Sequence, residues 1–201
     1  MMVDPEQMIQ EARMGTDAVL GPLLDLYRNY LRLLARLEIG RQLQGKLDAS
    51  DIVQETFLEA HRNFARFQGT SEPQFVSWLR QILAAKAANL LRHYLGTQGR
   101  DVRLERELAT NLDNSSHALG ERLIGPWSSP SQQAVRREQS VLLADALERL
   151  PADYREVIVL RHLEGLSFPE VARCMGRSVD SVQKLWLRAL ARLRRSFGES
   201  E

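Results

Sequence analysis

The sequence predicts an all-α protein of two small helical domains joined by a flexible linker. Nearly every periodic segment repeats its apolar side chains at a helical spacing and none alternates as a half-buried strand would. The texture breaks once, between Thr97 and Ser131, where TQGRDVRLERELATNLDNSSHALGERLIGPWSSPS is rich in Ser, Asn, Gly and charge and sustains little periodicity. With 44% hydrophobic residues in 201, there is enough apolar material for a core on each side of that break. The expected organisation is therefore a domain over 16–95, a linker over 96–130 and a second domain over 131–197.

The first domain reads as helices at 16–38, with Pro22 near its start, then 51–66 and 73–95. Asp51-x-x-Gln54 has the form of a capping box for the second of these. In that helix Val53, Phe57, Ala60 and Phe64 form one apolar stripe, while Gln54, Glu55, Leu58 and Arg62 point away from it. Phe75 and Trp78 are expected to anchor the core, as aromatic residues at helical spacing usually do.

The second domain reads as helices at 130–149, 152–163, 168–175 and 179–196. Ser129-Pro130-Ser131-Gln132 combines an N-cap serine, a proline at the first helical position and a glutamine that can reach back. Ser167-x-x-Glu170 repeats the capping box, and Gly165 and Gly176 sit where helices should stop in a left-handed residue. Around the last helix Val179, Val182, Trp186, Ala189, Leu190 and Leu193 fall on one side. Arg177, Ser181, Lys184, Arg188, Arg192 and Arg195 fall on the other, and Leu187 is the one apolar residue among polar neighbours. A small residue at a helix crossing (Ala172), a turn glycine (Gly176) and a core contact from the second helix (Val182) give the layout of a helix-turn-helix. Such a second helix lies in the major groove of a duplex, and phosphates are the counter-charge its basic side requires. Read by the charge run alone, the same residues would be no more than a solvated amphipathic helix.

The totals narrow the function further. A formal net charge of +1 means that any nucleic-acid surface must come from segregation of charge. The single cysteine, Cys174, excludes an internal disulfide and a cysteine-rich zinc site, fits a reducing cytoplasm and is most simply a small buried residue. The N-terminus has no apolar segment of a secretory signal, and no run approaches the roughly 20 apolar residues of a membrane span, so no membrane insertion is expected. His61, His93, His117 and His162 are scattered, and no glycine-rich phosphate loop or HExxH spacing is present. No catalytic residue, metal or cofactor is expected.

At these residues a resemblance enters. LERLPADYREVIVLRHLEGLSFPEVARCMGRSVDSVQKLWLRALARLRR (148–195) resembles region four of the sigma-70 family of bacterial RNA polymerase initiation factors. DASDIVQETFLEAHRNFARF (48–67) resembles region two, and together with FVSWLRQIL (75–83) the order looks like the extracytoplasmic-function (ECF) group. The resemblance implies that the DIVQETF helix docks on the clamp helices of the largest subunit of core RNA polymerase, through Asp51, Gln54, Glu55, Leu58 and Arg62. It implies that the loop 67–73, with Gln68 and Thr70, receives a base flipped from the minus-ten promoter element, with Arg80, Lys86, Arg92 and His93 as backbone contacts. Where the family commonly carries an asparagine after WL-x-x-I, this chain reads Leu83-Ala84-Ala85-Lys86. In the second domain the resemblance implies reading of the minus-thirty-five element by Gln183, Lys184, Leu187 and Arg188, flanked by Ser181, with Arg177 and Arg192 on phosphates. Gln183 and Leu185 replace basic residues common in the family. It further implies promoter melting and an anti-sigma factor as regulator. The alternative function is a stand-alone helix-turn-helix regulator that dimerises on palindromic half-sites.

Overall fold

The computed structural model describes residues 4–39, 48–95, 102–124 and 133–198, which form helices and turns only. Two compact units divide at Ser116 and His117. Unit 1 opens with α1 (Pro5–Arg13), which the periodicity reading omits. Its signal is local: the Asp4 carboxylate accepts the Glu6 N–H at 2.9 Å, Pro5 opens the helix, and Gly15 turns the chain out at φ +91. The expected helix 16–38 is two helices, α2 (Asp17–Asp25) and α3 (Arg28–Ile39). The Tyr27 N–H reaches the Leu24 carbonyl at 3.1 Å, an i to i−3 bond that tightens the chain between them.

α4 (Ala49–Asn63) is capped by Asp48, whose carboxylate accepts the Ser50 N–H at 2.8 Å. Asp51 is therefore in the first helical turn, where its charge suits the helix dipole, and is not the cap. α5 (Glu72–Leu95) follows. The core between these helices holds Tyr27, Tyr30, Leu31, Ile52, Phe75, Leu79 and Leu83, all essentially without exposure. Each buried aliphatic side chain there stabilises by about 1.5–3 kcal/mol relative to exposure. The Tyr27 hydroxyl donates to Glu72 at 3.0 Å, and burial first, then the Glu72 carboxylate, push its ionisation far above the usual tyrosine range.

The segment expected to be a linker contains a helix, α6 (Val102–Ile124). Leu108 and Leu112 are buried, with Ser116 one turn on, so a stripe at i, i+4, i+8 was present beneath the polar texture. The Tyr30 hydroxyl donates to Ser116 Oγ at 2.7 Å and Ser115 donates to Glu38 at 3.0 Å. Burial raises the Glu38 carboxyl despite those donors. The serines and asparagines that read as loop chemistry are here side-chain partners for α3.

Unit 2 contains α7 (Gln133–Glu148), α8 (Ala152–Ile158), α9 (Phe168–Met175) and α10 (Val179–Gly198). The Ser129 to Gln132 capping pattern lies outside the described residues. The expected helix 152–163 changes character, because Val159–Leu163 forms a π turn after α8. Gly165 at φ +72 ends that segment. The core is Leu143, Leu147, Val157, Ile158, Val171, Val182 and Ala189. Among the described residues no helix is long and apolar enough to cross a membrane, and no group of His, Cys, Asp or Glu is arranged to hold a metal ion.

Candidate nucleic-acid and polymerase interfaces

In unit 2 the helix-turn-helix is assembled by caps and one glycine. At the start of α9 the Glu170 carboxylate accepts the Ser167 N–H at 2.8 Å and its hydroxyl at 2.6 Å. Gly176 stops the helix at φ +61, after which the Arg177 N–H returns to the Ala172 carbonyl at 3.0 Å. The Ser178 hydroxyl then caps α10 by accepting the Ser181 N–H at 3.2 Å. Ala172 and Val182 are buried where the two helices meet, as expected. Cys174 is exposed, not buried.

The core stripe of α10 is Val182, Leu185, Ala189 and Leu193, with Trp186 and Leu190 half-buried and Val179 exposed. It is rotated toward Leu185 relative to the sequence reading, so Leu185 replaces a basic residue on the inside of the helix, not on its outer face. Gln183, Lys184, Leu187, Arg188 and Arg192 are exposed, Leu187 at 59%, and Ser181 is half-buried. Arg177 pairs with Asp153, and Lys184 with Asp180 one turn back at 2.8 Å. Both pairs are exposed and weak, so exchange for phosphates costs little.

Behind the stripe sits an aromatic brace. Trp186 Nε1–H donates to His162 Nε2 at 2.8 Å, the two rings stack at 5.8 Å, and Phe168 meets Trp186 edge-on at 5.4 Å. The Arg161 guanidinium lies 4.8 Å over the Phe168 ring and donates to the Leu166 carbonyl at 3.0 Å. Burial first, and the Arg161 charge second, hold His162 below the ordinary histidine range, which keeps Nε2 an acceptor at neutral pH. The brace fixes α10 against the π turn and α9.

In unit 1 the loop ahead of α5 is held from three sides. Phe67 packs against Phe64, Phe75 and Trp78 with centroids at 6.0, 5.5 and 5.0 Å. Gly69 admits no side chain: a Cβ there would meet the Phe67 ring at 2.3 Å and Gln74 Cβ at 2.9 Å. Gln74 Oε1 accepts the N–H groups of Thr70 and Ser71 at 2.8 and 3.3 Å, and Arg13 of α1 donates to the Gly69 carbonyl at 3.3 Å. Gln68 and Thr70 are exposed on this fixed frame.

The α5 residues divide. Arg80, expected on DNA, is 6% exposed: its Nε donates to Asp113 of α6 at 2.7 Å and its Nη1 to the Tyr30 hydroxyl at 3.2 Å. Burial opposes its charge, and the Tyr30 oxygen and the Asp113 carboxylate more than restore it. It joins α6 to the core, and its spacing with Val76, Leu83 and Ala87 was the available sign of that. Lys86, also expected on DNA, is mostly covered and donates to Glu59 of α4 at 2.7 Å, which holds the Glu59 carboxyl below its usual range. Their pair borders a groove of about 450 Å³ walled by Trp78, Asn63, Gln81 and Asn89. Arg92 is half-buried and bonds to Asn89, and His93 is exposed.

On α4 the buried side is Ile52, Val53, Thr56, Ala60 and Phe64, while Phe57 is half-buried beneath the Arg28 guanidinium at 4.9 Å. Asp51, Gln54, Glu55, Leu58 and Arg62 are all exposed, Leu58 at 45%. An exposed leucine among charges on a rigid helix suits a protein contact.

Residues 26–95 match the sequence profile "Sigma-70 region 2" and residues 140–193 match "Sigma-70, region 4". Among curated proteins, an ECF RNA polymerase sigma-E factor of Haemophilus influenzae is 29% identical over 184 residues, 92% of this chain and 90% of that protein. Those of Salmonella typhimurium and Escherichia coli K12 are 35% identical over 144 residues, 71% of this chain and 70% of theirs. Among solved structures, CnrH in complex with the cytosolic domain of CnrY matches at 22% identity and a TM-score of 0.34, covering 98% of this chain and 100% of that one. With both regions in order and relatives at that identity, the chain belongs to the ECF group of the sigma-70 family of RNA polymerase sigma factors.

Proposed function

We propose that this alternative sigma factor, which directs promoter recognition and transcription initiation, divides its work between its units. The domain over 16–95, within unit 1, holds the clamp helices of core RNA polymerase through Asp51, Gln54, Glu55, Leu58 and Arg62 of α4, and takes the minus-ten element at Gln68 and Thr70. Lys86 and Arg92 serve that element only if their present partners, Glu59 and Asn89, are exchanged for phosphate. The domain over 131–197, within unit 2, reads the minus-thirty-five element with Gln183, Lys184, Leu187 and Arg188, with Arg177, Ser181 and Arg192 beside them. The observation that carries the reading is shared by α4 and α10: each buries one stripe completely and leaves the other to charged residues around a single exposed leucine, Leu58 or Leu187. The match of residues 26–95 to region 2 favours this over a stand-alone regulator. The protein acts in the cytoplasm without catalytic chemistry of its own, and family membership supports an anti-sigma factor as its regulator.

Addition of the protein to core polymerase and sequencing of transcript 5′ ends tests the whole reading: new, promoter-aligned starts are expected, and unchanged starts would refute it. Glu55→Lys should reduce co-purification with core polymerase at least several-fold while the thermal midpoint stays unchanged. Arg188→Ala should weaken binding to the cognate promoter by about 1–3 kcal/mol without unfolding.

A further inference from the structure

Unit 2 carries a second concentration of positive charge, away from the first turns of α10. Where the end of α7 meets the last turns of α10, a concave pocket of about 490 Å³ is lined by Ala146, Arg149, Leu150, Arg192, Arg195 and Ser196. Its floor is apolar, with Ala146 and Leu150 buried. Its rim is three exposed arginines, Arg149 from the turn after α7 and Arg192 and Arg195 from α10. None of the three has a carboxylate partner among the described residues, whereas Arg155 takes Glu148 at 2.6 Å, Arg177 takes Asp153 and Lys184 takes Asp180. Glu148, the acid beside Arg149 in sequence, is thus already engaged. Arg195 donates Nε–H to the Ala191 carbonyl at 3.4 Å, which leaves its terminal nitrogens to a ligand. Like charges gathered without counter-charge repel one another, and an anion removes that cost.

We infer that Arg149, Arg192 and Arg195 form a phosphate-binding pocket. The planar guanidinium fork matches phosphate oxygens two at a time, and three forks suit a group of charge −2 or a pair of linked phosphates better than a single carboxylate. The volume lies within the general range of small-molecule sites. Two sources supply this chemistry: a soluble polyphosphate, or the backbone of a bound duplex. For the duplex the inference rests on the promoter reading and deepens it, since Arg149 lies outside the helix-turn-helix and Arg195 is about 10 Å along α10 from Arg188 at 1.5 Å per residue. The pocket then extends the grip on DNA beyond the recognition turns.

The test uses the full chain and two probes: sodium tripolyphosphate by calorimetry, and a mixed-sequence duplex of about 30 base pairs by fluorescence anisotropy over a salt series. Arg149→Gln and Arg195→Gln are expected to keep the wild-type thermal midpoint. A loss of tripolyphosphate affinity of about tenfold in both variants establishes the pocket with a soluble ligand. A loss of duplex affinity with a salt slope shallower by about one establishes it with backbone phosphate. If both variants leave both probes unchanged, the pocket is rejected. The promoter reading is judged separately, by Arg188→Ala on the cognate promoter: an unchanged affinity there would overturn that reading and leave the pocket result as it is.

Discussion

The loop ahead of α5 in unit 1 and the α10 helix of unit 2 reach rigidity by opposite routes. The loop is shaped by groups distant in sequence: Arg13 holds Gly69, the rings of Phe64, Phe75 and Trp78 close on Phe67, and Gln74 takes two backbone N–H groups. The outer face of α10 is shaped by its inner face, because a straight helix that buries Val182, Leu185, Ala189 and Leu193 must present Lys184 and Arg188 outward. A site of the first kind fails when its core is altered. One of the second kind keeps its geometry and loses contacts singly.

Phe67→Ala gives the strongest test of that contrast. Removing a packed aromatic ring costs about 3 kcal/mol and leaves a void under Gly69, so calorimetry of the full chain should show the unit 1 transition lowered and the unit 2 transition in place. Equal displacement of both transitions would break the comparison. Asp113→Asn should act next most strongly. It leaves the buried Arg80 without its anion, and because Asp113 is itself 54% exposed the cost is about 1–2 kcal/mol. Hydrogen exchange should accelerate over 102–116 and not over 179–198; unchanged protection in 102–116 would show that α6 is held by its leucines alone.

The smallest effect concerns pH. His162 has its ionisation lowered in the folded protein, so the unfolded chain takes up the proton first as pH falls. Stability present above the ordinary histidine value of 6.5 is lost on descending through it toward the folded value, and the loss is small because the ring is half-exposed. A protonated Nε2 would also face the Trp186 N–H donor to donor. Thermal midpoints of unit 2 at pH 7.5 and 5.5 should differ in the wild type and converge in His162→Gln; an equal difference in both would place the titration elsewhere.

Features with a local cause were legible in the sequence. The Ser167 and Glu170 cap, the left-handed Gly165 and Gly176, the exposed leucines at 58 and 187 and the charged face of α10 all follow from spacing or from backbone sterics. What escaped depended on a partner. Arg80 reads as a surface cation until Asp113 and Tyr30 are placed beside it, and α6 reads as a tether until Ser115 and Ser116 are seen to bond Glu38 and Tyr30. The pattern leaves Leu185 out of the stripe because apolar residues wrap far around α10, and the centre of the stripe is ambiguous without knowing what it packs on. Asp51 carries the capping-box pattern, and only the backbone geometry shows that Asp48 is the cap instead.

The presence of α6 replaces expected slack in the chain with a rod whose first half, through Ser115, Ser116 and Asp113, belongs to unit 1. Its 23 residues measure about 35 Å as a helix and about 80 Å fully drawn out. The first turns of that rod cannot be drawn out without breaking its bonds to Glu38, Tyr30 and Arg80, so a glycine placed there should be felt as lost stability of unit 1.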